Sequence, residues 1–210
     1  MGDIQDITDM GLESNKRDHK VGITDIAISK VPYIEYKEID SEHYEIIQLL
    51  AKRVLTLSRD KNDGKETAIT YSMDMLEDFL PEDESCVGVS YGDEHYVKPF
   101  DDPIAYELVD RASGSVIVVI HNHPSLSKVS LQDVWLFLKY AAIKMIVVVT
   151  NLGAINYIVK ESTYNRFEAI KLYNDAVDME RAGTTLKEKQ DAANFFLKNC
   201  SKVGIIFDDR

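Results

Sequence analysis

The chain has few cysteines and no long apolar run, which argues against a disulfide-rich protein and against a membrane-spanning one. Only Cys86 and Cys200 occur among 210 residues, and two distant cysteines cannot form a disulfide framework, which is typical of a reducing compartment. The apolar segment Ala141–Val149 is interrupted by Lys144 and is too short to span a bilayer. The first residues lack the basic and apolar regions of a signal peptide. We therefore expect a cytoplasmic protein without a membrane segment.

Basic residues are also scarce. Lysine and arginine total 24 against 36 aspartates and glutamates, so the formal net charge is −12. General affinity for nucleic acid depends on clustered positive charge, and this balance makes nucleic acid an unexpected partner. Acidic residues concentrate between Asp74 and Glu84. This stretch is typical of a solvated loop, and the alternative is an acidic lip that attracts a cationic substrate.

No internal repeat or low-complexity tract divides the chain. A length of 210 residues with 45% hydrophobic residues suits one domain with appendages. We expect a polar N-terminal tail over residues 1–40 with a candidate strand in Val21–Tyr36. A catalytic-type domain would cover residues 41–160, and a helical extension packed on it would cover residues 161–210. The oligomeric state is not predicted by any pattern.

Apolar periodicity predicts alternating helices and strands. From Ser41 to Leu57, apolar residues recur at helical spacing, and the turn Asp60–Gly64 ends that helix. Strands are expected over Lys65–Tyr71, Cys86–Tyr91 with a continuation to Val97, Ile146–Thr150, Ile155–Val159 and Val203–Phe207, and helices over Val134–Ile143 and Ser162–Lys198, with a break near Ala182 in the latter. The order predicts an α/β fold with a mixed β-sheet sandwiched by helices.

The most informative motif follows the apolar run Ser115–Ile120. Five large β-branched residues predict a buried strand, and side chains alternate along a strand, so His121 and His123 project from the same face at its end. Pro124 ends the ladder because it has no backbone donor. Ser130 and Asp133 then open the next helix, so that the Asp133 carboxylate lies in its first turn and faces the strand end.

Two imidazoles and one carboxylate on rigid elements are the ligand set of a catalytic zinc ion, which keeps its fourth position for water. Each half of the pattern also has a plainer interpretation. A strand can end in two exposed histidines, and Ser130 with Asp133 is what an ordinary helix capping box looks like. Their combination at one strand–loop–helix connection favours a Zn²⁺ site formed by His121, His123 and Asp133.

The motif His121-x-His123-Pro124…Ser130-x-x-Asp133 resembles the signature of the JAMM (MPN+) metallopeptidases. Its residues His-Asn-His-Pro-Ser most resemble those of the bacterial branch that includes RadC-like proteins and the JAB domains of toxin- and phage-associated systems. The loop between Pro124 and Ser130 is one residue shorter than the usual pattern. The resemblance covers about residues 41–160 and implies the layering of the JAMM and cytidine-deaminase-like folds.

The resemblance also implies a catalytic glutamate on an early strand. Glu66, at the start of the strand Lys65–Tyr71, is the candidate, with Glu35, Glu38 and the Glu77–Glu84 cluster as competitors. It further implies that Ser130 donates a hydrogen bond to the oxyanion. The expected function is hydrolysis of a peptide or isopeptide bond in a protein or peptide substrate, such as the tail of a ubiquitin-like protein.

Two other interpretations remain open at this stage. One is a non-catalytic binding module with a structural zinc ion, which would need a fourth protein ligand; His95 is the nearest candidate in sequence. The other is a RadC-like protein associated with nucleic acid, which the acidic balance disfavours.

Overall fold

The computed structural model describes residues 20–78 and 86–210. The helices are α1 (Asp25–Ser29), α2 (Tyr44–Lys61), α3 (Pro103–Arg111), α4 (Leu131–Lys139), α5 (Arg166–Ala182) and α6 (Leu186–Asn199), with short 3₁₀ turns at Ser41–His43, Met73–Asp78, Pro99–Asp101 and Cys200–Val203. The strands are β1 (Thr67–Ser72), β2 (Gly88–Tyr91), β3 (Ile117–His123), β4 (Ile143–Thr150), β5 (Ile155–Lys160) and β6 (Ile205–Asp209).

These strands form one sheet in the described part of the chain, in the order β2-β1-β3-β4-β5-β6. Only β3 and β4 run parallel, and the other neighbours are antiparallel. A parallel pair needs a crossover, and α4 provides it between β3 and β4. The register places Ala68 opposite His121, and His123 opposite Thr150. The end of β3 therefore lies between β1 and β4, in the middle of the sheet.

Both faces of the sheet are covered. One core contains Ile120 and Val147 and is closed by α2 and by the segment before it. The other contains Val119 and Ile146 and is closed mainly by α4, α5 and α6. Alternate residues of β3 and β4 thus enter opposite cores, which explains why both strands read as continuous β-branched runs. The predicted α/β class with a mixed sheet is confirmed.

The prediction of a strand within Val21–Tyr36 is wrong. The segment contains α1, whose N-cap Thr24 accepts a hydrogen bond from Ala27 N at 3.1 Å. Its apolar residues Ile34 and Tyr36 are buried against the α2 side of the core without joining the sheet. Loose alternation of apolar residues therefore marks packing against a helix here and not pairing in the sheet.

Three predicted boundaries also shift. The helix after Asp133 ends at Lys139, and Ile143, predicted as its last residue, begins β4 because its side chain is fully buried in the sheet. The predicted strand up to Val97 stops at Tyr91, since Asp93 Oδ1 accepts from His95 N and Tyr96 N and turns the chain. Gly204 has a φ of 72°, and the last strand begins after it, at Ile205 and not at Val203 as predicted.

No helix among the described residues is long and apolar enough to cross a bilayer.

Between the two histidines, Asn122 points to the opposite face and is fully buried. Its Oδ1 accepts from Thr67 N at 2.8 Å, and its Nδ2 lies within donating distance of Ser58 Oγ, Lys65 O and Asn151 Oδ1 at 3.1, 3.2 and 2.8 Å. Asn151 Nδ2 in turn donates to Val21 O and Gly64 O at 2.8 and 3.2 Å. One polar network therefore joins α2, β1, β3, the β4–β5 turn and the N-terminal segment.

We expect Asn122→Leu to lower the free energy of unfolding by about 3 kcal/mol or more, because it leaves several buried donors and acceptors without partners. Urea unfolding of wild type and variant measures the loss. Asn174→Leu, at an exposed position of α5, is the matched control and should change stability by less than about 0.5 kcal/mol. Equal stability of the two variants would show that the network contributes nothing net.

Candidate metal centre and adjoining cavity

The end of β3 presents two buried imidazoles to the same point. His121 and His123 are 2% and 5% exposed, and their Nε2 atoms lie 3.0 Å apart. Antiparallel β1 on one side and parallel β4 on the other hold the strand here. The predicted projection of both rings from one face is confirmed.

The third group comes from the first turn of α4. Ser130 is the N-cap, and its side chain and that of Asp133 form a capping box. The cap orients the carboxylate toward the strand, where Asp133 Oδ1 lies 3.0 Å from His121 Nε2 and Oδ2 lies 3.5 Å from His123 Nε2. Donor atoms of all three residues lie within 4.8 Å of one another. Asp133 therefore belongs to the cap of α4 and also faces the two histidines.

A second contact orients His123. Its Nδ1 lies 3.1 Å from Ser127 O and 3.0 Å from Ser127 Oγ. Because a carbonyl oxygen only accepts, Nδ1–H donates to it, and Nε2 keeps its lone pair toward the cluster in the neutral ring. Metal-binding histidines commonly have such an outer partner. Ser127 was not singled out in the sequence, where a loop serine carries no distinguishing signal.

Asp133 dominates the electrostatics of the cluster. Burial alone would raise the pKa of its carboxyl, but the charge and hydrogen bond of His121, with those of His123, hold that pKa well below its usual range. Burial likewise opposes the charged form of His123, yet the hydrogen bond and charge of Asp133 raise its pKa to about 9. The carboxylate therefore favours a positive charge at this point, either a proton on a ring or a cation.

The cluster fits a zinc ion on donor chemistry and spacing. Two imidazole nitrogens and a carboxylate oxygen are the catalytic ligand set. Nitrogen donors about 2.0–2.1 Å from a tetrahedral ion stand about 3.3 Å apart, close to the 3.0 Å between the two Nε2 atoms. The capping bonds of Ser130 N and Oγ both reach Asp133 Oδ2, which leaves Oδ1 available to an ion.

Glu66 lies beside this cluster, immediately before β1. Hydrogen bonds from Glu66 N to Asp93 O and from Gly92 N to Glu66 O, both 2.8 Å, fix its backbone. Its side chain is 7% exposed, and burial raises the pKa of its carboxyl even though His121 and His123 counteract the effect. It lines the same cavity as both histidines. A buried carboxyl with a raised pKa is suited to accept and return a proton.

The other candidates for this role lie elsewhere. Glu35 is exposed, and Glu38 lies 3.9 Å from Lys144 Nζ; neither lines the cavity. Asp74, Glu77 and Asp78 belong to the 3₁₀ turn Met73–Asp78, and the rest of the predicted acidic loop, Glu82 to Glu84, lies outside the described residues. His95 lines the cavity but is not part of the three-residue donor cluster.

The cluster opens into a cavity of about 540 Å³. Glu66, His121, His123, Ser130 and Asp133 line it, with charged residues such as Lys98, Asp101 and Lys139. Six aromatic residues also line it: Tyr96, Phe100, Tyr106, Trp135, Tyr140 and Tyr173. A second cavity of about 200 Å³ is also lined by Glu66, His123 and Ser130.

Comparison of the chain with family models, with curated proteins and with solved structures gave no match.

We expect the purified protein to contain close to one equivalent of zinc, and His123→Ala to lose it, because two remaining donors bind the ion weakly. Elemental mass spectrometry on protein dialysed without chelator measures the content. Glu66→Gln is the matched control, since Glu66 is outside the donor cluster, and should keep its zinc. A folded wild type without metal would contradict the assignment.

Proposed function

We propose that the protein is a zinc-dependent metallopeptidase of the JAMM type that hydrolyses a peptide or isopeptide bond in a protein or peptide substrate. One observation carries the proposal: Glu66, from a distant part of the chain, meets the His121–His123–Asp133 cluster at a single cavity. The JAMM-like layering of the fold is part of the same proposal. The sequence motif and the two cavities that adjoin the cluster support it.

In this proposal His121, His123 and Asp133 hold the ion. Bound there, zinc would supply Lewis acidity to an acyl carbonyl and acidify a water molecule. Glu66 would take the proton from the attacking water and deliver it to the leaving amine. Its burial favours the protonated form needed for the second half of this cycle, and the neighbouring positive charge favours the ionised form needed for the first.

Ser130 is proposed to donate a hydrogen bond to the oxygen of the acyl carbonyl as it gains negative charge. Its hydroxyl donates to Asp133 Oδ2 at 2.7 Å, and its backbone N donates to the same oxygen at 2.7 Å. When the hydroxyl turns toward substrate, the backbone bond still holds the carboxylate. The capping arrangement therefore allows Ser130 to act on substrate without releasing Asp133.

A structural zinc module would close the fourth position with a protein ligand. The donor cluster found among the described residues contains three groups, and it faces a cavity large enough for part of a peptide. Both features favour catalysis over a purely structural ion. The net charge of −12 gives no support to nucleic acid as the substrate.

We expect Glu66→Gln to reduce turnover of a fluorogenic peptide pool by about 10²-fold or more, because the amide cannot accept the proton. The variant should keep its zinc and its fold, measured by metal content and circular dichroism. Retained turnover would assign the base to another group.

Ser130→Ala should lower kcat by about 10²-fold, in line with the loss of one oxyanion donor, and leave KM nearly unchanged. It also removes an N-cap, which costs about 1 kcal/mol of stability. Thr185→Ala removes the N-cap of α6, whose side chain accepts from Glu188 N, and is the matched control for the stability effect alone. Equal kcat for the two variants would contradict the role of Ser130.

A further inference from the structure

The six aromatic side chains that line the larger cavity, called its aromatic wall here, are partly open to solvent. Trp135, Tyr106 and Tyr96 are 46%, 62% and 45% exposed and all line it. Single exposed aromatic residues are common, but several at one concave surface mark a place where apolar groups bind.

Two pairs of rings in this wall pack against each other. The ring of Trp135 stacks on Tyr173 with centroids 5.5 Å apart and an interplanar angle of 26°, and Phe100 packs edge-on against Tyr140 at 4.6 Å. Rings that are already oriented lose little conformational entropy when a ligand covers them. These rings are therefore already oriented for contact with an apolar group.

The distance between wall and metal centre follows from α4. Leu136 lines the cavity three residues after Asp133, about 4.5 Å along the helix axis. An extended peptide advances about 3.3–3.6 Å per residue. A side chain one or two residues from a bond held at the cluster would thus meet the wall.

We propose that the larger cavity is a specificity subsite for a bulky apolar side chain within two residues of the scissile amide; this rests on the proposed peptidase function. The substrate class is a polypeptide with a large aliphatic or aromatic residue at that point. A glycine-glycine tail fits poorly, since glycine would leave the aromatic wall in contact with water.

The sole tryptophan of the chain lies in this wall, so its fluorescence reports occupancy without any turnover. The experiment titrates full-length Glu66→Gln protein with two acetylated and amidated hexapeptides, Gly-Ser-Leu-Leu-Ser-Gly and Gly-Ser-Gly-Gly-Ser-Gly. We expect the leucine peptide to bind at least about tenfold tighter, the discrimination typical of an apolar pocket. Equal affinity, or no binding of either peptide, overturns the subsite.

A second measurement uses isothermal titration of the leucine peptide into variants in the Glu66→Gln background. Trp135→Ser should weaken binding at least about tenfold. Phe167→Ser is the matched control, because Phe167 is 67% exposed on α5 and does not line the cavity; it should bind like the parent. Equal loss in both variants, or none in either, contradicts the assignment.

Hydrolysis assays on the wild type test the apolar subsite and the proposed peptidase function separately. Selective binding of the leucine peptide without cleavage of any peptide in a zinc-loaded protein supports the subsite and contradicts the peptidase. Cleavage of both hexapeptides at equal kcat/KM supports the peptidase and overturns the subsite. Preferential cleavage of the leucine peptide, lost in Trp135→Ser, supports both.

Discussion

The alternation of side chains at the end of β3 governs the rest of the site. His121 and His123 enter the cluster, and Asn122 between them enters the polar network on the other face. A slip of one residue would exchange the two sets and leave neither satisfied. Asn122 opposes such a slip because its amide bonds to Thr67 N and Asn151 Oδ1 from neighbouring strands and turns. The network therefore fixes the register on which the donor geometry depends.

The same network connects the end of β3 with Glu66. Asn122 bonds to the backbone on both sides of this glutamate, at Lys65 O and Thr67 N. Asn62 Nδ2 additionally donates to Glu66 O at 2.7 Å. One set of amide side chains thus holds the backbone of Glu66 and the strand that carries both histidines. Buried polar groups are costly unless satisfied, and under the proposed function this network keeps Glu66 at a fixed distance from the cluster.

How far the site could be predicted depends on the range of each interaction. The convergence of His121, His123 and Asp133 was predictable because period-two alternation and a capping box are local rules. Glu66 needed the family resemblance, since it approaches the cluster only through the long-range pairing of β1, which follows it, with β3. The orienting contact of Ser127, the network of Asn122 and the aromatic wall around Trp135 left no local pattern. The segment containing α1 was misread because packing against a helix and pairing in a sheet produce similar apolar spacing.

The chain order of these parts has a consequence for synthesis. The three residues of the cluster belong to one strand–loop–helix unit, whereas Glu66 reaches them through pairings with a separation of 55 residues, such as that between Thr67 N and Asn122 Oδ1. Under the proposed function the local unit alone would hold the ion, and the base would be in place only after β1 has paired with β3. Because β3 also pairs with β4, the same proposal implies that a nascent chain does not hydrolyse substrate until the centre of its sheet has assembled.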